Sequence, residues 1–434
     1  MLRIVQDGTP EAARELARLE ARGESDFERV EPIVREILAA VRREGDAAVL
    51  RYAEKFDKRR PDPLHHASFD GAGALARLPE KARDAMKRAA DRIRSFHEKQ
   101  LAHFMKSTTF RYTDDDGATL GWRARPMQRA GVYAPGGKAR YPSSVLMSAI
   151  PAKVAGVAEI VLATPLQGDS SDDALLAAAH LSGVKSIVDA GGAQAIGALA
   201  YGTQTIPRVD KIVGPGNLYV ACAKRFVFGA VAIDSIAGPS EILVVADDEA
   251  DPRLVAADLL SQAEHDEAAY PLLVCASQAM AEAVDRELVS QLESLPRVAI
   301  ARASVEANGV AFVARERTRL AELADLLAPE HLSLQVRDPD QLFQAVVRVG
   351  AAFLGPLTPE AAGDYAAGPS HVLPTGGTVR FGSPLGILDF FAHSSVISYS
   401  QGALAAQAEL ITELARLEGL EAHARAVEAR TLRR

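Results

Sequence analysis

Apolar residues in the first hundred positions recur at helical spacing. VEPIVREILAAVRREGDAAVLRYAEKF and PEKARDAMKRAADRIRSFHEKQLAHF each carry the stripe that an amphipathic helix turns toward a core, with a polar loop around KRRPDPLHHA between them. From Gly131 the texture changes to short apolar runs alternating with helical stretches: AGVYA, SSVLMSAIPAKVAGV, EIVLATP, DDALLAAAHLSG, SIVDAGG, AQAIGALAYGT, DKIVGPG, NLYVACAKRFV and VAIDS. Strand alternating with helix predicts a parallel sheet covered on both faces. A second series runs EILVVAD, a helix carrying SQAEHD, YPLLVCAS, a helix around MAEAVDRELVSQL, then RVAIARA, QLFQAVVRV and AAFLG. The chain therefore reads as α/β, with N-terminal helices and two Rossmann-like parallel-sheet modules. Beyond Pro384 the rhythm gives way to a helical tail, ALAAQAELITELARLEGLEAHARAVEAR, which Gly419 should break or bend.

A chain of 434 residues is more than one core serves, so two or three domains are expected. Its 48% hydrophobic and 24% charged residues suit a soluble globular protein, and a net charge of −8 argues against nucleic acid as a partner. No apolar run reaches the length of a membrane span, and the start lacks the pattern of a secretion signal. Cys222 and Cys275 sit in the apolar segments YVACAK and LLVCAS, where buried reduced thiols are expected. A cytoplasmic protein fits these features.

The candidate chemistry begins at SQAEHD, where Gln262, Glu264, His265 and Asp266 follow the apolar Val255, Leu259 and Leu260. On a helix Gln262 and His265 share a face and make half of a divalent-metal site suited to Zn²⁺ or Mn²⁺. On spacing alone a solvated helix end is the favoured reading. Further histidines lie in polar, Gly- or Pro-rich segments: His331 beside Glu330 in APEHLSL, His371 after Asp364 in GDYAAGPSHVLPTGG, and His423 in EGLEAH. Adjacent residues point in different directions, so Glu330 and His331 suit two separate proton-handling roles. His is the better acceptor of an alcohol proton, and Glu could activate a water. His65, His66, His97 and His103 read as solvated residues of helix faces and loops. No strict GxGxxG follows a strand, but APGGKARYP (134–142), GGAQAIG (191–197) and GPGN (214–217) are turns whose backbone N–H groups could face phosphate.

Taken in order, GVYAPGGKARYPSSVLMSAIPAKVAGV, GGAQAIGALAYGT, VDKIVGPGN, IAGPSEILVVAD, LLSQAEHD, APEHL, GDYAAGPSHVLPTGGT and EGLEAHARAV closely resemble the histidinol dehydrogenase family, from about Phe27 to about Arg430. The resemblance implies oxidation of L-histidinol to L-histidine through histidinal with two NAD⁺, the last step of histidine biosynthesis, by an intertwined homodimer holding one Zn²⁺ per subunit. It implies Gln262, His265 and Asp364 as zinc ligands, with His423 given by the neighbouring subunit, and Glu330 and His331 as the catalytic acid/base pair. Ser240, His371 and Glu418 match substrate-holding positions, together with Gln262, His265, His331, Asp364 and His423. Tyr133, Gln194 and Asn217 match contacts to NAD⁺.

The expected division is an N-terminal helical segment (1–26), a catalytic and zinc-carrying α/β domain (27–132 with 240–383), an NAD-binding α/β domain (133–239) and a tail reaching the partner subunit (384–434). One departure from the family is that Ala392 and His393 stand where many members carry a Lys-Arg pair. The alternative reading is a related zinc- and NAD-dependent dehydrogenase of another small alcohol, such as a sulfonated diol; Glu418 and His371 argue against it. A non-catalytic metal- and nucleotide-binding protein would have no need of PEHL.

Overall fold

A computed structural model describes residues 1–23, 27–136 and 141–431. Among these residues the strands form two six-stranded sheets and one three-stranded sheet. Across its width the first large sheet runs His65–His66, Ser186–Val188, Glu159–Ala163, Arg129–Tyr133, Lys211–Val213 and Ala232–Ile233, parallel except at the His65–His66 edge. The second runs Arg3–Gln6, Val310–Val313, Tyr270–Cys275, Glu241–Ala246, His331–Gln335 and Ala351–Leu354, parallel throughout. Both modules expected from the alternating pattern are present. Their central strands are apolar at nearly every position because helices cover both faces; all six residues of EILVVA are buried.

The division between modules differs from the expected one. Val34, Ile37, Leu38 and Val41 of the helix Glu31–Glu44 pack against Ile196 and Leu199, and Ile93 of Glu80–Phe104 shares a core with Val132 and Leu162. The early helices thus cover the first sheet and belong with residues 133–239, not with 240–383. Their amphipathic stripes announce burial, but a stripe does not say which sheet it meets. The first residues are not a purely helical segment either: RIVQ pairs with Val310–Val313 at the edge of the second sheet, and the helix Pro10–Glu20 follows. RVAIARA, in a strand's place in the pattern, lies in the helix Val298–Asn308, and the strand is the adjacent VAFV.

Before its helices the tail forms a 3₁₀ turn, Ile387–Phe390, and then a strand. Phe391–Ser398 pairs antiparallel with Thr119–Pro126, which pairs in turn with Thr109–Thr113. The helices Gln401–Leu417 and Glu421–Thr431 follow, separated at Gly419 (φ 74°), the break expected there. Leu410, Leu414 and Leu417 line one face of the first of these helices and are 60%, 54% and 83% exposed. Cys222 and Cys275 are buried and unpaired, as expected. His97 is fully buried rather than solvated, its Nδ1 2.9 Å from the Ile93 carbonyl of its own helix. No helix among the described residues is long and apolar enough to cross a membrane.

Candidate active site

The second sheet delivers Glu330 and His331 at the amino end of one of its inner strands. The helix Arg317–Leu327 stops at Ala328, which takes a left-handed conformation (φ 46°), and Pro329 then forces the chain out of helix. The strand His331–Gln335 starts two residues later, and both side chains are buried. They grip one residue of the neighbouring strand. Glu330 Oε2 accepts the Glu241 N–H at 2.8 Å, and His331 Nδ1 lies 2.9 Å from the Glu241 carbonyl oxygen. A carbonyl only accepts, so Nδ1 carries the hydrogen and Nε2 is left to take a proton. Burial raises the Glu330 carboxyl above its ordinary range. For His331 burial works the other way, but the Glu330 charge and hydrogen bond, followed by the charges of Glu360 and Asp364, outweigh it and push the imidazole up to about 9.

On the far side of His331 stands a carboxylate cluster. Glu360 and Asp364 are four residues apart on the helix Glu360–Tyr365 and so share a face. Glu360 Oε1 is 3.7 Å from His331 Nε2, Asp364 Oδ1 is 3.2 Å from His371 Nδ1, and single donor atoms of His331, Glu360 and Asp364 lie within 4.8 Å of one another. Burial, then the Asp364 charge, pushes Glu360 up to about 7. Asp364 is raised by burial but held below its usual range by the His371 hydrogen bond and charge. Sequence reasoning missed Glu360. The available signal was its place four residues before Asp364 in PEAAGDY.

Gln262 and His265 approach the same cluster, though not from one helix face. The helix Pro252–Ala263 ends before His265, whose N–H closes a turn onto the Gln262 carbonyl at 3.1 Å. Burial lowers the His265 pKa, opposed by the nearby Asp364 charge. Beside Gln262, Ser261 Oγ donates to Glu360 Oε2 at 3.1 Å. Both amide atoms of Gln262 and Glu360 Oε1 are buried without a hydrogen-bond partner. Leaving buried polar atoms unpaired is costly, and two crowded carboxylates repel each other. A divalent cation answers both, and a donor set of carboxylate, imidazole and amide oxygen suits Zn²⁺.

The candidate NAD residues lie at the carboxyl ends of strands in the first sheet, where ligands of open α/β sheets bind. Tyr133 ends the strand Arg129–Tyr133; its Oη accepts the Gly192 N–H at 3.1 Å, and burial pushes its phenol up to about 12. Gln194 is buried with its Oε1 unpaired. Asn217 is exposed and caps the helix Leu218–Val227, accepting from the N–H groups of Tyr219 and Val220 at 3.1 and 3.2 Å. The GPGN turn is fixed from below: Gly214 donates to Asp234 Oδ2 at 2.7 Å and its carbonyl accepts from the buried Lys224 ammonium at 3.0 Å, while Lys224 pairs with Asp234. At Gly214 (φ 111°) a Cβ would sit 2.2 Å from the Tyr133 carbonyl oxygen, so only glycine fits. Of the stretch 134–142, residues 137–140 lie outside the described residues.

The remaining candidates are more dispersed. Ser240 is half-buried just before the strand Glu241–Ala246, and its carbonyl accepts from Tyr270 at 2.9 Å. Glu418 and His423 are exposed at the junction and start of the C-terminal helices, and no hydrogen bond or ion pair among the described residues joins either to the cluster. His393 is exposed on the strand Phe391–Ser398 with its ring edge-on to Trp122, 5.2 Å between centroids.

An α/β scaffold with glycine turns at strand carboxyl ends and a buried imidazole–carboxylate pair is the frame of an enzyme that moves protons beside a bound nucleotide. The model of one family, histidinol dehydrogenase, matches residues 20–431. A histidinol dehydrogenase of Syntrophotalea carbinolica is 49% identical, covering 99% of both chains, and one of Lactiplantibacillus plantarum is 50% identical over 93% of both. Among solved structures, histidinol dehydrogenase from Elizabethkingia anophelis superposes with a TM-score of 0.90 at 34% identity, covering 99% of this chain and 98% of that one. The chain belongs to the histidinol dehydrogenase family.

Proposed function

We propose that this protein oxidises L-histidinol to L-histidine by way of histidinal, using two NAD⁺, as the last step of histidine biosynthesis in the cytoplasm. The observation that carries the reading is the buried His331, with Nδ1 committed to a carbonyl and Nε2 facing Glu360 and Asp364. His331 Nε2 takes the hydroxyl proton as hydride leaves the carbinol carbon. The aldehyde stays enclosed, which protects a reactive species from solvent. Glu330 then draws a proton from water as the water adds to the carbonyl carbon. The hydrate anion so formed loses a second hydride and its remaining hydroxyl proton, which leaves the carboxylate. When bound, NAD⁺ accepts the hydrides and Zn²⁺ supplies charge that orients the substrate's amine and imidazole.

Gln262, His265 and Asp364 are the residues of this chain that would hold the cation, with Glu360 beside them. Ser240 and His371 border the substrate, and Tyr133, Gln194 and Asn217 border NAD⁺. His423 and Glu418 would reach the cluster of a partner subunit in a homodimer, which accounts for their exposure in the single chain. The test is the number of NADH formed per histidinol consumed, with and without a chelator. A ratio near two that collapses on chelation is the expected result; a ratio near one would mean that the aldehyde leaves. His331→Asn should lower turnover by about 10² to 10⁴ with zinc content unchanged.

A further inference from the structure

We propose that the buried ion pair Arg22–Glu241 is a positioning device that sets the geometry of both Glu330 and His331; this rests on the acid/base roles given to those two residues above. Both side chains are 1% exposed. The guanidinium meets the carboxylate through two bonds, Nε to Oε1 at 3.0 Å and Nη2 to Oε2 at 2.9 Å. Such forked pairs fix direction as well as distance. As a source of stability the pair is a poor choice, because desolvating two charges offsets most of their attraction and apolar residues of similar volume often serve as well. Its role is better sought in what the two residues hold.

Glu241 stands one position before the ladder with the catalytic strand begins, since His331 pairs with Ile242. Its main-chain N–H and carbonyl therefore have no strand partner on that side and are taken by the side chains of Glu330 and His331, at 2.8 and 2.9 Å. Any rotation of this peptide moves both groups together. What resists rotation is the Glu241 carboxylate, held by Arg22 and by the Gly376 N–H at 2.6 Å. Gly376 belongs to HVLPTGG, the loop that starts with His371.

Arg22 acts a second time. Its Nη2 donates to the carbonyls of Leu327 and Ala328 at 2.6 and 3.3 Å, and its Nη1 to Leu19 at 2.7 Å. Those carbonyls end the helix Arg317–Leu327 and form the left-handed turn that delivers Glu330. One guanidinium thus fixes the peptide that the catalytic pair grips and the turn from which the pair emerges. Lysine has the charge but not the fork, so it should not substitute.

The test compares Glu241→Gln, Arg22→Lys and the double variant Arg22→Met with Glu241→Met in the zinc-loaded protein, beside the parent and His331→Asn. Parent activity on histidinol with a crippled His331→Asn establishes the underlying reading; if either fails, that reading falls and not this one. The expected result is kcat lowered about tenfold to a hundredfold, the scale of a small misplacement of reacting groups. KM for histidinol should stay within about threefold of the parent, and the isotope effect on kcat with carbinol-deuterated histidinol should rise. A structural role would lower the folded fraction and leave the isotope effect alone. The double variant, with no buried charge left unpaired, should keep its melting temperature and still turn over slowly. Should it fail to fold, the isosteric Glu241→Gln decides. Near-parental kcat and an unchanged isotope effect in the folded variants would overturn the proposal.

Discussion

At the scale of single residues, the least usual group is an imidazole pushed up to about 9 although burial opposes its charge. Its proton-accepting form therefore grows as pH rises through the alkaline range, and in the metal-free protein this imidazole, followed by NMR, should titrate above the ordinary range of about 6.5. Glu360→Gln removes one of the anions responsible, so in the metal-free protein that midpoint should move to lower pH; an unmoved or upward-shifted midpoint would contradict this electrostatic account. Linkage runs in the matching direction. With the folded pKa above the unfolded one, the contribution of His331 to stability is complete below the unfolded pKa and lost as pH rises through about 9. Most of the cluster was legible: Glu330, His331, Asp364 and His371 stood out as polar residues in short loop segments, and folding brings them together. Glu360 did not, because EAAGDY reads as an ordinary polar turn until folding buries its first residue. Arg22 was equally silent, since a lone arginine in a helical stretch normally faces water.

At the scale of elements, the alternation of apolar runs with helices foretold both parallel sheets, because strands buried on two faces leave an unmistakable pattern. The antiparallel strand Phe391–Ser398 left little trace, being largely exposed and merging into the helical tail. Which helices cover which sheet was not readable, since that depends on shape matching between distant segments. Turn chemistry is the more testable element. Gly214→Ala would place a methyl 2.2 Å from the Tyr133 carbonyl oxygen at a φ that L side chains rarely adopt. The expected outcome is a lower melting temperature and at least about a tenfold weaker NAD⁺ affinity by calorimetry, on the order of 1.4 kcal/mol. Unchanged values for both would show that the crossing of these two turns is slack.

At the scale of the whole molecule, the tail projects a row of leucines that nothing among the described residues covers. Exposed apolar stripes of this kind mark association surfaces. Leu414→Asp with Leu417→Asp should convert a dimer into a monomer by light scattering and abolish turnover, while the two sheet modules keep their circular dichroism. A fully active monomer would remove the reason for placing His423 and Glu418 in another subunit's site. Removing the cation should also lower the melting temperature, because a ligand that binds only the folded state stabilises it by mass action.

The exposure of His423, which no hydrogen bond or ion pair among the described residues joins to the cluster, bears on genetics as well as structure. In the proposed dimer each centre draws on two polypeptides, so a His331→Asn chain, useless alone, still donates an intact His423 to its neighbour. Paired with a His423→Ala chain, itself useless, it would rebuild one working centre per mixed particle. A cell lacking this enzyme should then grow without added histidine when it carries both damaged genes, and fail when it carries either.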